Sequence, residues 1–130
     1  MDGLHQAKGI SASGLQAQAQ RLRFVTENIA NADTPGFRRK VTTFEQVLNH
    51  GRETGRVKNG RVNLDRSELK QVFDPAHPLA NPDRYYEGSN VSLVVEIADA
   101  REAQRSYEAN LRMFDQARKM RSSLFELLKR

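Results

Sequence analysis

The stretch ENIANADTPGF, Glu27–Phe37, decides how this chain is organised. A helix-like pattern runs into it and ends within a few residues. Asn31 suits a left-handed helix stop. Thr34-Pro35-Gly36-Phe37 puts Pro and Gly at the two central positions of a type II turn. Pro35 also pushes Thr34 out of helical geometry. Phe37 offers an apolar anchor that can fold back on the helix end. The bland reading is a well-made helix stop. The functional one is a rigid corner that redirects the chain at a fixed point of a packed assembly.

Upstream, Leu4 to Ala30 reads as one amphipathic helix. Leu15, Ala19, Leu22, Val25, Ile29 and Ala32 recur at three- and four-residue steps. Gly9 and Gly14 weaken its early part. Downstream, Val91 to Leu128 reads as a longer helix without Pro or Gly, with Ser89 or Asn90 as its cap. Its stripe runs Leu93, Ile97, Ala100, Ala103, Tyr107, Leu111, Phe114, Ala117, Met120, Leu124, Leu128. Val94, Val95, Met113, Phe125 and Leu127 widen it beyond one narrow face.

The middle is not helical. VTTFEQV, Val41–Val47, has strand character, and Asn59–Gly60 is a hairpin signal between Arg56–Lys58 and Arg61–Leu64. LKQVF, Leu69–Phe73, reads as another strand. Pro75, Pro78 and Pro82 then forbid helix and favour an extended, stiff strap.

The expected fold is mainly α: long N- and C-terminal helices pairing as a coiled coil, with a small β-hairpin or extended middle. Its three parts are 1–32, 33–90 and 91–130. Two apolar stripes cannot stay exposed on single helices in water, and each is the other's nearest partner. The middle can return the chain in either direction, so helix orientation is open. A two-helix seam alone is thin for this composition: 38% hydrophobic, 28% charged, no Trp, mean hydropathy −0.72. Surplus apolar surface on the second stripe points to helices from other chains. The candidate interface is Leu15, Leu22, Val25 and Ile29 with Ile97, Tyr107, Leu111, Phe114, Leu124 and Leu128.

Catalytic chemistry finds little support. With no cysteine, disulfides, thiolate zinc sites and cysteine nucleophiles are excluded. His5, His50 and His77 lack helical ligand spacing, and metal sites need several convergent ligands. The middle glycines precede no Gly-Lys-Ser/Thr end, so they form no phosphate loop. No catalytic residue, metal, cofactor or small-molecule substrate is expected. The longest apolar run, Leu93–Val95, is far too short to span a membrane, and MDGLHQAKGISASG carries no cleavable signal. The net charge of +5 is spread thinly; FRRK, Phe37–Lys40, is its densest run and reads first as a solvated loop edge. A basic helical nucleic-acid-binding protein is the alternative class, although a dedicated binder shows a denser stripe.

NIANADTPGF, Asn28–Phe37, at the end of an N-terminal helix resembles the signature of the bacterial flagellar axial proteins, which include rod and hook proteins. DPAHPLANPDRYY followed by SNVSLVVEIADAREAQRSYEANLRMFDQARKM is similar to the proximal-rod component of the basal body. Arg84-Tyr85-Tyr86 departs from the family's usual Gly-Tyr-Val after the strap. The resemblance makes Asn28, Ala30, Asn31, Thr34, Pro35, Gly36 and Phe37 the axial-protein motif. It implies a structural subunit that assembles with copies of itself and other rod proteins on the basal-body base, at the MS ring and export-gate side. It also implies export by the flagellar type III apparatus without a cleaved signal, a rod that crosses the periplasm and transmits torque, and no nucleic-acid partner.

Overall fold

The computed structural model describes residues 2–129; Met1 and Arg130, the outermost residues of the expected terminal parts, lie outside the described residues. Two helices, α1 (Asp2–Ala30) and α2 (Leu93–Leu128), pack against each other. They run antiparallel: Asn28 meets Glu96, Arg21 meets Glu102, and Lys8 lies over the Phe114 ring. Falling numbers on α1 match rising numbers on α2.

The seam shares Val25, Ala103, Tyr107, Phe114 and Ala117 with the stripes read from the sequence and adds small and polar residues to them. It is built from Ser11, Gly14, Ala17, Phe24, Val25 and Asn28 on α1 and Glu96, Ala103 and Ala117 on α2, all buried. Its α2 face follows 96-100-103-107-110-114-117, still three-four spaced but rotated from the purely apolar stripe. Small side chains let the helices approach closely. A Cβ on Gly14 would come within 2.6 Å of the Asn110 carboxamide oxygen. That proximity explains a helix-interior glycine that otherwise costs about 1 kcal/mol.

Between the helices the chain forms a long two-stranded ribbon. Its outer pair is β1 (Lys40–Val41) with β4 (Asn63–Leu64); its inner pair is β2 (Phe44–Asn49) with β3 (Arg52–Asn59). The β3 strand lies on α1: Val57 N–H donates to Ser13 Oγ at 3.1 Å, and the Asn59 carboxamide donates to the Ala17 carbonyl at 3.2 Å. The hairpin turn falls at His50–Gly51, both with positive φ (51° and 78°), as a two-residue type I′ connection requires. The expected turn at Asn59–Gly60 is overturned. Docking on α1 engages Asn59 at the far end of β3, and Gly60 N–H bonds back to Thr43.

A second hairpin pairs β5 (Gln71–Phe73) with β6 (Tyr85–Glu87). The proline-rich segment that joins them is a chain of turns, not the expected stiff strap. His77, Ala80 and Arg84 N–H groups close turns on the Asp74, His77 and Asn81 carbonyls. Asp74 and Asn81 side chains accept from Ala76 and Tyr85, the Asx chemistry that turns use. His77 stacks on Tyr86 at 3.9 Å, and its Nδ1 accepts from Leu79 N–H, so it is a turn histidine.

The α2 helix begins at Leu93 with Ser92 as its N-cap residue, two positions after Asn90, the nearer of the two expected caps. No membrane-spanning helix occurs among the described residues.

Gly14→Ala is expected to lower the thermal midpoint despite its better helix propensity, because the new methyl meets Asn110. Adding Asn110→Ala should recover most of the loss. Differential scanning calorimetry of both variants checks this; equal midpoints for wild type and Gly14→Ala would show that the seam has slack.

Candidate functional site

Two features stand out: a polar lock beneath the corner, and an apolar helix end beyond it. The corner starts where α1 stops. Asn31 does not take the left-handed conformation expected for it; among the described non-glycine residues only His50 and Arg84 have positive φ. Its side chain donates instead to the Glu27 carbonyl at 2.8 Å, satisfying an end-of-helix acceptor. Thr34 Oγ1 donates to Asn31 Oδ1 at 3.1 Å. The type II turn forms as read: Gly36 has φ +73° and Phe37 N–H donates to the Thr34 carbonyl at 3.2 Å. Gly36 N–H reaches the Glu87 and Gly88 carbonyls, and Ser89 Oγ donates to the Ala32 carbonyl, so β6 holds the corner from below. Pro35 and Ala30 are exposed.

Asn28 is the buried member of the motif, 1% exposed. Its carboxamide copies a strand partner, accepting from Lys40 N–H at 2.8 Å and donating to the Lys40 carbonyl at 3.0 Å. It also donates to Glu96 Oε2 at 3.3 Å. Glu96 is fully buried, and Arg39 Nε donates to its other oxygen at 2.7 Å. The same guanidinium reaches Asp65 at 3.4 Å and Asp99 at 3.5 Å. Asn90 fastens the loop entering α2, accepting from Arg39 N–H at 2.7 Å and donating to the Asp65 carbonyl at 2.9 Å. Arg21 adds Asp99 and Glu102 from α1.

The charges respond accordingly. Burial pulls the Arg39 guanidinium downward, but its hydrogen bonds to Glu96 and Asp65 outweigh that, and it is held above its ordinary value. The Asp65 carboxyl is held below the ordinary range, first by hydrogen bonds from Ser67 and then by Arg39. The Glu27 carboxyl is held low by the hydrogen bond from Lys40 Nζ at 2.7 Å. The charged groups of this knot are engaged with one another. It suits clamping better than bond-making, and no cluster of three or more His, Cys, Asp or Glu suited to a metal occurs among the described residues.

The sequence reading missed Arg39, Glu96 and Asp65, and read Asn90 only as a helix cap. Arg39 sits in the run read as a solvated edge. One signal was available for Glu96: it falls on the three-four series that continues through Ala100, Ala103 and Tyr107, a carboxylate on a helix's buried face.

The apolar end lies on α2. Ala117 is the last buried residue, and every described residue from Arg118 to Lys129 is exposed. Met120, Leu124, Phe125, Leu127 and Leu128 therefore stand exposed on the last turns of α2, beyond its last buried residue. Of the expected interface, Val25 is buried and Leu15, Leu22, Tyr107 and Phe114 are half-buried, whereas Ile29, Ile97, Leu111, Leu124 and Leu128 are exposed. The helix pair thus leaves part of that set open to a partner.

Comparison with known proteins places relatives beside this geometry. Residues 10–38 match the family model described as flagella basal body rod protein, and residues 83–127 match that of the flagellar basal body rod FlgEFG protein C-terminal region. The chain is 43% identical to a flagellar basal-body rod protein FlgC of Agrobacterium fabrum, covering 99% of this chain and 98% of the relative. It is 34% identical to the FlgC of Aquifex aeolicus over 99% of this chain and all of that one. The FlgC of Salmonella typhimurium is 33% identical over 85% of this chain and 87% of its own. The nucleic-acid-binding alternative gains no support from these relatives.

Two outcomes are expected of the lock. Arg39→Met strands the buried Glu96 carboxylate and should cost about 3–5 kcal/mol in urea unfolding. Arg38→Met, next to it, should cost under about 1 kcal/mol, and equal losses would remove the lock's special role. For pH, Glu27 and Asp65 have folded values below their ordinary 4.5 and 3.8. Their contribution is complete above those values and is lost as pH falls through the folded ones. The thermal midpoint should fall below about pH 4.5, and Lys40→Met should shrink that fall.

Proposed function

Since the chain belongs to the flagellar basal-body rod protein family, we propose that it works as a structural subunit of the proximal rod, assembling with copies of itself and other rod proteins to transmit torque for motility. The observation that carries this is the uncovered α2 end. Five large apolar side chains, 39% to 73% exposed, project from a continuous helix beyond Ala117. Burying such side chains contributes about 1.5–3 kcal/mol each, offset by ordering. That is ample to drive association of a subunit whose own core is thin.

In this reading the terminal parts, 1–32 and 91–130, form the coiled-coil pair that packs against neighbouring subunits, and 33–90 is the middle segment that contacts neighbouring subunits. The exposed Ile29, Ile97, Leu111, Leu124 and Leu128 face other chains. The half-buried Leu15, Leu22, Tyr107 and Phe114, with Val25, back them from within. The motif Asn28, Ala30, Asn31, Thr34, Pro35, Gly36 and Phe37 sets where α1 ends, so that helices of neighbouring subunits finish in step. The family assignment supports placement on the basal-body base towards the MS ring, delivery through the flagellar type III apparatus, and a position along the periplasmic rod.

Leu124→Lys with Leu128→Lys tests the surface apart from the fold. Both side chains are exposed, so unfolding free energy should move by under about 0.5 kcal/mol. Motility in soft agar should be lost, and basal bodies isolated from the strain should lack a completed rod. Normal basal bodies carrying the double variant would remove the α2 end from the assembly.

A further inference from the structure

The exposed edge of β4 carries a second surface that shares no residue with the α2 end. Arg38, Arg61 and Arg66 line one hollow of about 830 Å³ with Val62, Asn63 and Leu64. Among the described residues, none of these three guanidiniums lies within ion-pairing distance of a carboxylate. Arg38 donates only to backbone, the Ser67 carbonyl at 2.9 Å and the Asp65 carbonyl at 3.3 Å. Those bonds set its position while leaving its charge uncompensated. The nearest acid in sequence, Asp65, is committed elsewhere: one oxygen accepts from Ser67 N–H at 2.8 Å and the other faces Arg39. Glu68 is exposed and pairs with none of them.

The apolar side of the hollow is equally open. Val62 is 38% exposed and Leu64 is 54% exposed, although Leu64 sits in a strand. The β4 strand pairs only with β1, so its other edge has no strand against it. A free strand edge, an aliphatic ledge and three fork-shaped cations define one kind of occupant. Strand addition supplies main-chain bonds, alternate side chains fall on opposite faces, and arginine recognises carboxylates two oxygens at a time.

We infer that the β4 hollow docks an extended, acidic polypeptide segment with interleaved aliphatic residues, supplied by a partner protein. Nucleic acid fits less well. No aromatic ring lines the hollow for base stacking, and three cations fall short of a backbone-tracking stripe. A lipid surface fits less well too, because the arginines sit in a concave site beside a strand edge, not on the polar face of an amphipathic helix.

The test uses the full chain and a fluorescein-labelled short peptide of alternating glutamate and leucine, followed by anisotropy. Binding is expected to weaken with salt and to fall about tenfold or more in Arg61→Gln/Arg66→Gln, which removes two charge-assisted contacts. The control Arg52→Gln/Arg84→Gln removes the same charge elsewhere and should leave binding unchanged. Unaltered far-UV circular dichroism and thermal midpoint in both variants keep folding out of the comparison. Equal binding of the glutamine-for-glutamate peptide, or equal loss in the control, would overturn the inference. So would arginine-dependent binding of phosphatidylglycerol vesicles or single-stranded oligothymidine without peptide binding. Self-association abolished by Arg61→Gln/Arg66→Gln would give the hollow to a second copy instead and would also overturn it.

Discussion

The buried Glu96 carboxylate is the constraint on which the rest of the structure depends. It is fully buried, on the helix face that also buries Ala103 and Ala117. A charge there is tolerable only if fixed partners surround it. Asn28 brings the end of α1, Arg39 brings the chain that leaves the corner, and Asp65 and Asn90 tie in the β4 exit and the α2 entry. Two of these residues, Asn28 and Arg39, satisfy the carboxylate directly, and Asp65 and Asn90 hold Arg39 in place. The apolar core is too small to impose that arrangement; among the described residues Val91 is the one large hydrophobic side chain that is fully buried. The polar lock therefore sets where α1 stops, and it does so in a way that a hydrophobic seam of alanines could not.

The corner follows from that requirement. Pro35 and Gly36 make a turn possible, but the turn alone would leave the chain free to leave at several angles. Asn28 removes that freedom by treating Lys40 as a strand neighbour twelve residues on. Gly36 and Ser89 then anchor the turn to β6. Local turn chemistry and a long-range carboxamide clamp agree on one geometry, which is the condition for a short segment to specify a fold.

Much of this was legible in the sequence. The two helices and the type II turn follow from three-four periodicity and from Pro-Gly placement. Family membership was legible too, because the motif and the second helix match in order. The helix faces were legible in part. Ala103 and Ala117 lie on the stripe that periodicity marked and are buried, whereas Gly14 and Ala17 are too small or too permissive to signal burial by hydrophobicity, and Ile29, Leu111 and Leu124 stay exposed. The hairpin turn was misplaced because Asn59–Gly60 is the stronger local signal; packing of β3 on α1 overrules it and moves the reversal to His50–Gly51. The lock was invisible for a different reason. Arg39 and Glu96 are 57 residues apart, and each looks like an ordinary surface charge until the fold joins them.

Separating a polar lock from an apolar end has a consequence for how the subunit can be built into something larger. The lock lies at the end of the pair where α1 stops and α2 starts, and its central carboxylate, Glu96, is buried. The uncovered stretch of α2 lies at the opposite end, some thirty residues along the same helix, and interacts through area, not charge. A helix held rigidly at one end and unsatisfied at the other presents its apolar side chains in a fixed direction. A partner then meets one orientation, without first paying to order a floppy hairpin. Had the fold relied on the apolar stripe for its own seam, the same leucines would have been consumed internally. Using small residues and a buried carboxylate for much of the seam leaves Leu124, Leu127 and Leu128 exposed.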